Sequence, residues 1–258
     1  MHCVFHKVFM SLIKLGSATL LLLLTTILAA AAEPDANELL QRFDQLRGYG
    51  DQGFSFVIEN SSHQPEKAPH TNRLKVRVLS DLSLVSFLSP EREKGRAMLK
   101  DGKNMWLYIP GTRKVIRVTP AQRLIGQASN GDVMGTTLSG QYQVAAKQAV
   151  QWQQQSSWQL SLQPLQEGAT YGRIELWLSQ QSPAMPQQAE FYSRSGKLLK
   201  TAIYEEVSEF NGHEKLARIK LVDAVRPQHY TIMNFSEYQP EDLDAAIFNK
   251  DALQYLDF

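Results

Sequence analysis

The sequence predicts a mainly β chain with short helices (α+β). Its core is a curled antiparallel sheet, left open along its edges and filled on the concave side by an N-terminal helix and a central helical lid. Three observations predict it. Six strand-like runs crowd between Gly53 and Val118, too close together for crossover helices, so their sheet must be an antiparallel meander. Further alternating runs recur from Trp158 to Phe235. No Pro-, Gly- or Ser-rich linker is long enough to divide the chain, so residues 33–258 read as a single domain.

Residues 1–32 are set apart. Lys7 and Lys14 precede the uncharged run Leu15–Ala32, and Ala30 and Ala32 fit the small-residue rule for cleavage between Ala32 and Glu33. This is the pattern of a secretory signal peptide. An uncleaved anchor is the alternative, which the polar Ser17, Thr25 and Thr26 and the alanine tail disfavour. Cleavage would remove Cys3, the sole cysteine, and would turn the formal net charge from +1 to −1, with 25 basic against 26 acidic residues left. That balance argues against nucleic acid as a partner. The expected product is an exported, soluble protein without thiols.

The mature sequence opens on a helix. Asp35 is a natural N-cap with Glu38 three residues on; Leu39, Leu40, Phe43 and Leu46 form one apolar stripe; Gly48 and Gly50 stop it. Over Ala36–Arg47 this element is expected to plug the concave face of the sheet. Phe54, Phe56 and Ile58 then alternate with other residues, and a polar loop is expected over Glu59–Asn72. Leu74, Val76 and Val78 alternate with Lys75 and Arg77, followed by "SLVSFLS", "GRAMLK", the turn "DGKN" and two strands in "NMWLYIPGTRKVIRV". The first of these two is apolar on both faces: Met105, Leu107 and Ile109 one way, Trp106 and Tyr108 the other. A strand with one wet face would alternate, so a helix or lid loop is expected to cover its second face. Val85, Phe87 and Trp177 are read as similar second-face apolar residues.

In the middle, Thr119-Pro120 with Gln122 predicts a short helix over "PAQRLIG", and "QASNGDVMGTTLSG" a long glycine-rich lid loop. "QYQVAAKQAVQWQQQSS" carries a weak helical spacing at Tyr142, Ala145, Ala149 and Trp152. Strands resume with Leu160, Ile174, Leu176, a hairpin at "SRSGK", Ile219, and the run Tyr230–Phe235; the tail reads as a loop and a short helix.

Catalytic patterns are missing. "HEKLA" has Ala217 where a zinc-protease motif needs its second histidine, and it sits at a hairpin. There is no Gly-x-Ser-x-Gly elbow, dinucleotide fingerprint or Walker loop. Glu205 and Glu206 are neighbours on a strand and face opposite sides. The reading is therefore not an enzyme and no cofactor or metal; an unrecognised hydrolase is the dissenting alternative.

Four segments carry a resemblance. "DGKNMWLYIPGTRKVIRV", "GDVMGTTLSGQY", "SRSGKLLKTAIYEEV" and "DAAIFNKDALQYL" together resemble the LolA-like outer-membrane lipoprotein-sorting protein family, over about Leu74 to the end. Members show a Trp-Leu-Tyr-Leu-Pro strand, a basic strand after it, a Met-Gly-Ser/Thr loop and a closing Phe-Thr segment, where Asn249 stands in place of the threonine. The family often continues Met-Gly-Ser/Thr with an aspartate and an aromatic; here Thr137 and Leu138 stand there. The resemblance implies an open half-barrel closed by helices, with an apolar cavity for lipid or lipoprotein acyl chains, in the periplasm. It also implies an RND/MMPL-type membrane transporter as a possible partner. The expected cavity lining is Leu74, Val76, Val78, Leu107, Leu160, Leu176 and Ile219, with Met134 at the mouth. A normal packed core would use the same inward residues. A sensor or adaptor of a membrane transporter is the alternative function on the same fold.

Overall fold

The computed structural model describes residues 33–48, 52–135 and 137–255. The leader and its cleavage point, and Gly50 as a helix stop, lie outside these residues. Residues 34–258 form one compact unit.

The first element, α1 (Ala36–Gln45), starts as its sequence requires. The Asp35 carboxylate accepts the Asn37 and Glu38 amides, Glu38 reaches back to the Asp35 amide, and Leu39, Leu40 and Phe43 are buried. Leu46 follows as the C-cap and is buried too.

The meander follows as β1 (Phe54–His63), β2 (His70–Leu79), β3 (Leu82–Ser89), β4 (Ala97–Asp101), β5 (Asn104–Ile109) and β6 (Lys114–Val118). After β6 come a small hairpin, β7 (Arg123–Ile125) with β8 (Ala128–Ser129), and the short helix α2 (Asn130–Met134). A second run comprises β9 (Tyr142–Trp152), β10 (Gln155–Pro164), β11 (Arg173–Ser179), β12 (Pro186–Tyr192), β13 (Leu198–Phe210), β14 (His213–Asp223) and β15 (Tyr230–Pro240).

All but β7 and β8 join one antiparallel sheet of 13 strands in the order β6-β5-β4-β3-β2-β1-β15-β14-β13-β12-β11-β10-β9. Two meanders are thus sewn together by a single long-range pairing, β1 with β15. The sheet is open: β6 and β9 are its two edges. A sheet this wide curls under its own twist, and its inner residues from both meanders, α1 and α2 form one apolar cluster.

Several local expectations are corrected. The polar loop shrinks to residues 64–69, because β1 and β2 run further than expected. Asn60 and Asn72 sit opposite each other in that ladder, and the Asn60 amide donates to Asn72 at 2.9 Å, which lets two polar residues be buried. The helix expected over "PAQRLIG" is instead a turn leading into β7. The glutamine-rich stretch is the edge strand β9, not a helix; its bulge against β10 breaks the strand alternation that would have revealed it.

The second face of β5 is covered by the C-terminal tail. Phe248 and Leu253, in and beside the 3-10 turns Ala245–Ile247 and Lys250–Ala252, bury against Leu84, Leu99 and Tyr108, with Trp106 alongside. No lid loop is involved. Val85 and Phe87 belong to the main cluster, so the second-face residue of β3 is Leu84, and Trp177 is half-buried outside both clusters.

Candidate functional site

Residues 130–135 and 137–141 form a flap over the inner face of β12–β15, and two charged side chains, in α1 and just past its C-cap, hold it down. The Asp44 carboxylate accepts the Leu138 amide at 2.6 Å, the Ser139 amide at 2.9 Å and the Ser139 hydroxyl. One turn on, the Arg47 guanidinium donates to the Gly135 carbonyl at 2.7 Å and to the Asp132 carbonyl at 3.3 Å. Burial pushes the Asp44 carboxyl above its usual range, while its three donors and Arg47 pull it back. A carboxylate of α1 therefore serves the stretch where Thr137 and Leu138 depart from the family pattern.

A second anchor lies at the other end of the flap. Lys200 is buried on the inner face of β13; its ammonium donates to the Gln127 carbonyl at 2.9 Å and pairs with the Asp132 carboxylate. Asp132 also accepts the Tyr171 hydroxyl at 2.6 Å and the Ser129 amide at 2.7 Å. Burial would raise the Asp132 carboxyl, but Lys200 and these donors overcome it and hold it below its usual value. Burial in turn lowers the Lys200 ammonium and drives the Tyr171 hydroxyl well up. Each group thus offsets part of the burial cost of the other, a cost that either one alone would bear in full.

Between flap and sheet lies an apolar cavity of about 50 Å³, with Phe191, Ala202, Tyr204, Ile219, Leu221, Met233 and Phe235 on the sheet side and Leu138 and Tyr142 on the flap side. Arg47, Asp132 and Tyr171 also reach its wall. It shares Gly131, Gly135, Thr137, Gln141 and Thr170 with an open groove of about 530 Å³, whose other wall carries Asp81, Lys100 and Lys103. Close approach of the flap depends on glycine: a Cβ on Gly131 would stand 2.2 Å from the Thr170 hydroxyl.

Of the residues expected to line a cavity, Ile219 lines this one. Leu107, half-buried, lines a separate cavity of about 140 Å³ on the inner side of β3–β5. Leu74, Val76, Val78, Leu160, Leu176 and Met134 are fully buried in the main cluster and line none of the four cavities described. The plug residues Leu39, Leu40, Phe43 and Leu46 all lie in that cluster, with Phe43 edge-on to Tyr204 at 5.4 Å. Sequence reasoning passed over Asp44, Arg47, Asp132, Tyr171 and Lys200. Lys200 left a readable signal: alternation places it on the same face as Ala202, a lone cation on an apolar face.

No group of three or more His, Cys, Asp or Glu among the described residues is placed to hold a metal ion. Among the same residues, no helix is long and apolar enough to cross a membrane.

The architecture is an open, curled antiparallel sheet carrying a helix and a pinned flap over a small apolar cavity. The comparisons define it further. A family model described as "Uncharacterized protein" matches residues 80–255. A LolA superfamily protein from Nitrosomonas europaea is 30% identical, over 87% of this chain and 100% of its own, with a TM-score of 0.77. The chain belongs to the LolA superfamily. An outer membrane lipoprotein-sorting protein domain from Vibrio parahaemolyticus (19% identity, 84% and 97% coverage, TM-score 0.71) shares the fold. So does a DUF1329 family protein from Desulfovibrio piger (20% identity, 84% and 97% coverage, TM-score 0.68). No curated protein matches the chain.

Proposed function

We propose that the chain is a periplasmic carrier that takes lipid or lipoprotein acyl chains beneath the 130–141 flap, for transfer toward the outer membrane. One observation carries this: the apolar cavity is roofed by a segment that Asp44 of α1 and Arg47 just beyond it hold through hydrogen bonds to its backbone. Such a roof opens by breaking a few polar contacts, without disturbing the sheet. About 50 Å³ is far below the roughly 300 Å³ or more of a typical ligand site. The cavity is thus a closed state, and loading lifts the flap and extends the cavity into the adjoining groove. Ile219, Leu221, Met233 and Phe235 form its sheet-side wall, and α1 with α2 forms the helical lid. An acyl chain gains about 0.8 kcal/mol per buried methylene, so binding needs no covalent step and no catalytic residue. Export by the leader, cleaved at Ala32–Glu33, and an RND/MMPL-type transporter as donor or acceptor belong to the same reading.

Mass spectrometry of ligands extracted from protein purified from the exported fraction tests it. Acyl-bearing lipids or lipopeptides in near-stoichiometric amount are expected. Ligand-free protein that also fails to displace a fluorescent fatty acid probe would leave the cavity as an ordinary packing gap.

A further inference from the structure

Two turns at one corner of the sheet lie side by side. The β12–β13 turn (residues 193–197) leads into Leu199, whose carbonyl accepts the amide of Ala224, in the β14–β15 turn (224–229), at 3.2 Å. These turns carry the exposed cations Arg194, Lys197 and Arg226. The β7 strand adds Arg123, 3.4 Å from Asp223, while Arg226 lies 3.8 Å from the same carboxylate. The two guanidinium side chains are 58% and 55% exposed, the carboxylate only 6%, so the cations face outward and the one acid faces in. Asp223 also accepts the Val225 and Arg226 amides at 3.0 and 2.9 Å, which stiffens the turn. That turn presents Val225, 69% exposed, beside Leu199 at 38%. Across these two turns and β7, four cations stand with the inward acid Asp223, and two exposed apolar side chains accompany them: Val225 in the β14–β15 turn and Leu199 at the start of β13.

We propose that this corner docks the protein on an anionic bilayer surface. Cations attract the head groups, while Val225 and Leu199 enter the interfacial layer. An acidic protein would match the charge but would offer apolar tips no lipid phase to enter. The position suits a carrier: Leu199 directly precedes Lys200, which anchors the flap. The proposal stands whether or not the cavity holds acyl chains.

Cosedimentation with vesicles tests it, using the chain from Glu33 onward. That form contains the whole compact unit, and residues 1–32 would partition into lipid by themselves. Binding is expected to vesicles containing roughly one third phosphatidylglycerol, to weaken with salt, and to be far weaker with phosphatidylcholine alone. Each cation strengthens such binding by about fivefold, so Lys197→Glu with Arg226→Glu should weaken it by roughly 25-fold or more. Val225→Ser should also weaken it, whereas Lys94→Glu with Lys250→Glu, the same change of net charge elsewhere, should have a much smaller effect. Unchanged melting curves would show that the variants fold. Equal binding to both vesicle types, or equal losses from the two charge-reversed pairs, would overturn the proposal. So would binding competed by polyglutamate and indifferent to Val225→Ser, which would point to an acidic protein.

Discussion

Lys215 shows how much a single buried cation can shape the response to pH. Its ammonium donates to the carbonyls of Gln45 at 2.7 Å and Gly48 at 2.5 Å, closing the C-terminal end of α1. Burial, with a smaller push from Arg42, brings its pKa down from 10.5 to about 8. Between these two values the unfolded chain holds more protons than the native one, so stability rises with pH across that window. Lys100 and Lys200, also lowered by burial, add the same sign. The tyrosines oppose it only above pH 10: Tyr142 and Tyr192 are pushed up from 10 to about 12, which costs stability where an unfolded tyrosine ionises. The urea midpoint should therefore rise from about pH 8 to pH 10, and Lys215→Met should flatten the rise. A midpoint that falls over this range in the parent protein would show that Lys215 titrates as an ordinary exposed lysine. In the sequence this residue was visible only as part of an incomplete zinc motif, because a side chain that caps a distant helix leaves no local spacing to read.

At the scale of elements, legibility follows how local the cause is. The cap and apolar stripe of α1 could be read, since both signals lie between Asp35 and Leu46. Its contribution is tested by Phe43→Ala. That ring is 1% exposed, and its loss should cost about 3–5 kcal/mol in chemical denaturation; an unchanged midpoint would mean the helix is not held by its stripe. The strands β1–β6 were legible for the same reason. The β9 edge was not: rich in Ala and Gln, with a bulge and one half-exposed face, it offers neither a clean period of two nor β-branched residues in number. The cover on the second face of β5 was half legible. Apolar residues on both faces demanded a partner, but only the fold shows that the partner is the C-terminal tail. Phe248→Ala should loosen that tail and let water reach Trp106, seen as a red shift of tryptophan emission at modest cost to the main core. An unshifted spectrum would place the cover elsewhere.

The whole molecule sets two requirements against each other. The sheet must hold its curl, which 13 strands and one continuous apolar cluster secure, while the proposed carrier role requires the cavity to open. Such a protein can satisfy both only if the opening element is fastened separately from the core, and the fastening is polar: Asp44 and Arg47 on one side, the Lys200–Asp132 pair on the other. If loading lifts the flap, the clasp is part of the cost of binding. Asp44 lines none of the four cavities described, so Asp44→Ala changes the clasp without changing the wall. Removing it leaves the Leu138 and Ser139 amides without their acceptor and should lower stability by about 1–3 kcal/mol. The same substitution should tighten binding of a fluorescent fatty acid, because less free energy is spent on opening; a shift of about 1.4 kcal/mol in the closed-to-open balance gives up to tenfold. Weaker folding together with tighter binding is a pairing that an ordinary core cannot produce. There, loss of Asp44 would lower stability and leave the probe unbound or bound no better, and thermal melting run beside probe titration on the two proteins separates these outcomes.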